Sequence, residues 1–107
     1  MNKRLEFDEV LCGMINITEP DGDTHVYFQP PASVKMKYPA IVYSRERIDN
    51  KFADDIPYLQ RTAYSVTVID KDPDSEIVKK VSQLPMCRHN RHYKRDNLNH
   101  DNFTIYI

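Results

Sequence analysis

The clearest pattern of apolar and polar positions runs through Tyr58–Asp70, Y-L-Q-R-T-A-Y-S-V-T-V-I-D. From Ala63 it alternates: Tyr64, Val66 and Val68 point one way, and Ala63, Ser65, Thr67 and Ile69 the other. A period of two with β-branched and aromatic residues predicts a half-buried strand, its large-residue row facing a core. We expect this strand at the centre of a sheet, ended by Asp70, Asp72 and Pro73.

The rest of the chain arranges itself around that strand. Residues 3–17 place Phe7, Val10, Leu11 and Met14 at i, i+3, i+4 and i+7, the apolar face of a helix that ends before Pro20. Gly13 weakens this helix by about 1 kcal/mol relative to Ala without breaking its pattern. Glu19–Asp23 reads as a turn and Thr24–Phe28 as a short strand closed by Pro30-Pro31. Ala40–Arg45 is a second strand, with Pro39 where a strand start tolerates proline. Arg47–Pro57 then reads as a long loop between two neighbouring strands. Hairpin loops usually run two to five residues, so such length suggests a functional loop or one packed on something outside the domain, the equal alternative being a surface loop that tucks Phe52 and Ile56 onto its own sheet.

Past the central strand, Asp72 is expected to cap a helix over Asp72–Leu84, with Pro73 in its first turn. Ile77, Val78, Val81 and Leu84 form its apolar stripe, and Pro85 ends it. Met86–Lys94 is expected as a fourth strand, Asp96–Asn102 as an Asx-rich turn, and Phe103–Ile107 as a fifth strand. The order helix, three strands, helix, two strands predicts an α+β domain with a mainly antiparallel sheet of four to five strands. At 107 residues there is room for one domain and one core, so residues 1–107 are read as a single unit.

Composition narrows the function classes. No apolar run approaches the ~20 residues of a membrane helix, so no membrane partner is expected. Acids near the N-terminus stand where a signal peptide has its apolar region, so secretion is not expected either. Cys12 and Cys87 lie far apart without metal or redox spacing and are read as buried thiols. A net charge of -1 argues against a dedicated nucleic-acid binder.

The candidate chemistry is thin. Met86–Arg95, M-C-R-H-N-R-H-Y-K-R, carries Arg88, Arg91, Lys94 and Arg95 with no acid among them. Strict alternation would put Arg88, Asn90, His92 and Lys94 on one face and Cys87, His89, Arg91 and Tyr93 on the other. Such a patch suits phosphates or an acidic protein surface. Direct nucleic-acid binding is the lesser reading, because no aromatic–basic platform is evident. Cys87, His89, His92 and His100 fit no zinc spacing. Asp54-Asp55 and Asp70/Asp72/Asp74 have neither a glycine-rich phosphate cradle nor a nucleophile–base partner. No enzyme, metal or cofactor is therefore expected. Of seven tyrosines, Tyr27, Tyr38, Tyr43 and Tyr58 lie where rings either anchor an interface or complete the sheet faces.

Two stretches carry a resemblance. Pro39–Tyr43 (P-A-I-V-Y), taken with Ile56–Ile77 (I-P-Y-x-x-x-x-A-Y-S-V-T-V-I-D-K-D-P-D-S-E-I) and a closing strand pair, resembles minor structural proteins of tailed phages. These are encoded between portal and tail tube. The element order is also similar to tail terminators and tail-completion proteins of the lambda type. The resemblance implies a structural virion protein assembled in the bacterial cytoplasm. It would form a ring, a hexamer by analogy, on the last tail-tube ring and join it to a head-closure or adaptor protein. DNA would meet it only as a non-specific lumen contact. A head–tail adaptor or stopper is the alternative within that class, and a small nucleic-acid-binding module using Met86–Arg95 is the alternative outside it. Ring contacts pair unlike patches. The opposite charges of the two segments suggest one pairing: Arg47, Asp49, Lys51, Phe52, Asp54 and Asp55 against Arg88, Arg91, Lys94 and Arg95.

Overall fold

A computed structural model of the chain describes residues 3–53 and 56–107, and the side chains of all these except 51–60. The elements are α1 (Lys3–Ile15), β1 (Val26–Phe28), β2 (Ala40–Ala53), β3 (Ile56–Asp70), α2 (Glu76–Ser82), β4 (Cys87–Arg95) and β5 (Leu98–Tyr106). The five strands form one sheet in the order β1-β2-β3-β5-β4. Only β1 and β2 run parallel. The fold is α+β with the expected element order, and β3 is its central strand.

Both helices pack on one face of the sheet. The strand residues that face them are Ile41 and Tyr43 of β2, Tyr64, Val66 and Val68 of β3, and Phe103 and Ile105 of β5, all buried. These are the large residues of each alternating row, as burial of one sheet face requires. The helices contribute Phe7, Leu11, Ile15 and Val81. Phe7 meets Tyr43 edge-on with ring centroids 5.6 Å apart and lies at the same distance from Tyr64. The buried stripe of α1 is thus i, i+4, i+8, and Val10, expected inside, is 45% exposed. α1 stops at Ile15, short of residue 17, because Asn16 turns left-handed (φ 51) and donates its N–H to Cys12 O at 2.8 Å.

Several boundaries differ from expectation, each for a local reason. The first strand starts at Val26, not Thr24, because His25 takes φ 61 and turns its ring inward. The cap of α2 is Ser75, whose Oγ accepts from the Ile77 N–H at 3.2 Å, and not Asp72. Asp70 and Asp72 instead accept from the N–H groups of Asp72 (3.0 Å) and Asp74 (2.9 Å), two successive Asx turns that carry the chain off the sheet. The Asx-rich turn shrinks to Asp96-Asn97, both left-handed (φ 53 and 62), the backbone of a two-residue hairpin. Asn99–Asn102 belong to β5, because their polar side chains find partners there. Asn99 donates to Lys71 O at 3.2 Å, and Asn102 to Ser65 Oγ and Thr67 Oγ1, each at 3.0 Å.

The largest correction concerns Arg47–Pro57. It is no loop: β2 and β3 stay paired from Ala40↔Ile69 out to Ala53↔Ile56. β5 supports β3 only as far as Thr62, which exchanges two backbone hydrogen bonds with Ile107. Beyond that point two strands continue alone. At about 3.3 Å per residue, Ile48–Ala53 extends this arm roughly 20 Å past the sheet. The radius of gyration, 15.0 Å, exceeds the roughly 13 Å of a compact chain of this size, and the long axis measures 50 Å. The segment hid from the pattern because its sequence mixes charges with isolated apolar residues and shows no alternation, so that backbone pairing alone marks it as strand.

Candidate functional site

The expected site residues divide between the arm and β4. Arg47 and Asp49 stand at the root of the arm. The Arg47 guanidinium pairs with Glu46 at 2.8 Å and Asp49 at 3.2 Å, and it hydrogen-bonds to the Tyr106 hydroxyl. The charge of Arg47 is therefore spent within the chain. The side chains of Lys51, Phe52 and Tyr58 lie outside those described, and Asp54 and Asp55 lie outside the described residues altogether.

Among the described residues β4 is an edge strand, with β5 on one side and no strand on the other. Seven of its nine residues are exposed, which leaves a row of backbone N–H and C=O groups free to pair. Its faces are not those strict alternation predicts. The register shifts between His89 and Arg91, so Asn90 is an extra residue against β5. Arg88 opposes Thr104, Arg91 opposes Asn102, Tyr93 opposes His100 and Arg95 opposes Leu98, all on the face away from the helices. Cys87, His89, His92 and Lys94 fall on the helix side, opposite Ile105, Phe103, Asp101 and Asn99. A bulge turns the strand by one residue and so reassigns every later side chain. The expected pairing of Arg88 with Lys94 on one face is corrected to Arg88 with Arg91, Tyr93 and Arg95.

Each face acquires its own chemistry. On the helix side, His89 Nε2 (3.1 Å) and His92 Nδ1 (3.0 Å) meet the same oxygen of Asp101, whose side chain is only 10% exposed. Two imidazoles on one carboxylate oxygen satisfy a buried acid and hold the bulge from below. Cys87 shares this face with both histidines, contrary to expectation, but no group of three or more metal-ligating side chains among the described residues is arranged to hold an ion.

On the open side, Asn90 donates to Asn102 Oδ1 (2.9 Å) and Thr104 Oγ1 (2.8 Å), continuing the Asn102–Ser65–Thr67 row into a flat polar floor. Tyr93 stacks on His100 with centroids 4.7 Å apart and planes 9° from parallel. The Arg91 guanidinium lies 5.1 Å from the Tyr93 centroid. An aromatic–basic group thus exists where sequence spacing showed none. The signal for it was the bulge, which alternation cannot reveal.

Of the remaining candidates Tyr38 stands 40% exposed, whereas the others are structural. Tyr43 is a core residue, 1% exposed, and Tyr27 donates to Asp23 Oδ2 at 3.0 Å. Buried His25 places one ring nitrogen 2.8 Å from Pro39 O and the other 2.8 Å from Glu19 Oε1, tying the 19–23 turn to the start of β2. Cys12 and Cys87 are free and half-buried rather than buried, and burial pushes both thiols up from their ordinary pKa. No described helix is long and apolar enough to cross a membrane. Comparison with protein-family models, curated proteins and solved structures finds no match to this chain.

Proposed function

We propose that this chain is a structural subunit of a tailed-phage neck or tail, a terminator-like protein that forms a ring on the tail tube and joins it to the head-closure complex. The observation that carries the reading is the unsupported β2–β3 arm. A two-stranded ribbon is marginal by itself in water, so an arm reaching roughly 20 Å beyond its sheet is built to lie against a partner. The same chain presents an open edge at β4. A ribbon on one side and a free edge on another are the unlike patches of a heterologous contact, which closes into a ring when the rotation permits.

Edge-to-edge pairing would extend the sheet from one subunit to the next and leave fewer unpaired backbone groups at its rim. The acids at positions 54 and 55 and the cations Lys94 and Arg95 at the end of β4 add charge complementarity, Asp49 being already paired with Arg47. Such contacts need no catalytic group, metal or cofactor. A head–tail adaptor would use the same surfaces with a different stacking partner.

The test is the size and shape of the purified full chain, alone and with its tail-tube protein, by native mass spectrometry and negative-stain imaging. A closed ring of several copies is expected in at least one condition. A strict monomer in both would sink the reading. Replacing residues 49–61 by a two-residue Asn-Gly turn, which keeps the Ile48–Thr62 pairing, should abolish the ring while circular dichroism retains the sheet signal.

A further inference from the structure

We infer that the helix-free face of β4 and β5 is a binding surface for the phosphate backbone of single-stranded nucleic acid, without sequence readout. Three features converge there. First, the outward row of β4 and β5 holds Arg88, Arg91 and Arg95 and no carboxylate, since Asp101 faces the helices. None of these arginines makes an ion pair with a described residue, in contrast to Arg47 with its two acids. Second, the Tyr93–His100 stack stands beside Arg91 on the same face. Bases of any identity stack on such rings while neighbouring cations follow the backbone. Third, the floor between them is a hydrogen-bonded row of Asn90, Asn102 and Thr104. Its amides and hydroxyls already satisfy one another, so it is wettable and flat and does not select a base.

The bulge at Asn90 is what assembles the surface. Without it, Arg91 and Tyr93 would turn to the helix side and Arg88 would stand apart from them. A net charge of -1 for the whole chain does not oppose the inference, because the charge is segregated by face and attraction to a polyanion is local at physiological salt. The surface uses side chains pointing off the sheet plane, whereas the ring contact uses the edge of the sheet. Arg95 alone is called on by both, and the arginine variant below leaves it in place.

The experiment is fluorescence anisotropy of a labelled homopolymeric oligonucleotide titrated with the full chain over a series of salt concentrations. A duplex of equal length and free inorganic phosphate serve as competitors. We expect single-strand binding at low salt that weakens linearly in log–log form, with phosphate ineffective. Arg88→Ala with Arg91→Ala should weaken binding and flatten the salt slope by about 0.7 per cation removed, about 1.4 for the pair. Tyr93→Ala should cost about 5- to 100-fold in affinity with the slope unchanged.

No binding at low salt, or an unchanged slope in the arginine variant, overturns the inference. Preference for the duplex with Tyr93→Ala silent overturns the single-strand assignment. Oligomeric state is read on the same samples. A ring that ignores the oligonucleotide removes this inference alone, and a chain that binds it yet stays monomeric with the tail-tube protein as well removes the ring alone.

Discussion

The Tyr43 hydroxyl donates to Asp8 Oδ2 at 2.5 Å, joining α1 to the first part of β2 beneath the aromatic cluster. Arg4 donates to the same hydroxyl at 3.3 Å. Burial, followed by the hydrogen bond to Asp8, pushes the phenol well above its ordinary value of 10.0. A group whose pKa is raised on folding contributes stability that is whole below the unfolded value and lost as pH rises beyond it. Stability should therefore fall steeply above pH 10. Tyr43→Phe should remove that part of the alkaline loss, and at neutral pH it should cost about 1–2 kcal/mol. Denaturant midpoints across the pH series check both.

The burial of α1 makes a contrast between adjacent apolar residues. Val10→Ala should change stability by no more than about 0.5 kcal/mol, because Val10 stands 45% exposed. Leu11→Ala, at 0% exposure, should cost about 2–5 kcal/mol. Equal costs in urea unfolding would mean that α1 is rotated from the position described.

The hairpin between β4 and β5 turns on two residues with positive φ. Asn97→Gly should be neutral or stabilising by a few tenths of a kcal/mol, since glycine adopts φ 62 without a Cβ penalty. Asn97→Val should destabilise by about 1–2 kcal/mol. Thermal unfolding of the two variants side by side decides this.

Burial raises both thiols above the ordinary cysteine value of 9.0, so little thiolate is present at neutral pH. Alkylation of the folded chain at neutral pH should be slower than that of a small-molecule thiol and should accelerate on unfolding. Mass spectrometry of quenched samples measures both rates. Fast modification of the native chain would contradict the packing around Cys12 and Cys87.

In the proposed ring, Lys94 and Arg95 lie at the end of the edge strand, away from the Arg88–Arg91 pair. Lys94→Glu with Arg95→Glu should shift the assembly equilibrium toward monomer in sedimentation velocity, by roughly tenfold in the association constant if two rim pairs are reversed. An unchanged distribution would remove the charge term from the subunit contact.

Much of the fold was legible in the chain because burial of one face imposes a period. Tyr64, Val66 and Val68 announced the core row of β3, and Phe103 with Ile105 announced that of β5. What sequence alone determined was the α+β order, the centrality of β3 and the basic character of Met86–Arg95. The tertiary structure alone decided the other two features. The arm beyond Ile48 carries no hydrophobic period in its sequence, and backbone pairing makes its strands. The direction of Arg91, Tyr93 and His92 depends on one extra residue, Asn90, whose amide is held by Asn102 and Thr104 of the neighbouring strand. A strand's period is a local property, but its phase after a bulge is set by the partner across the ladder.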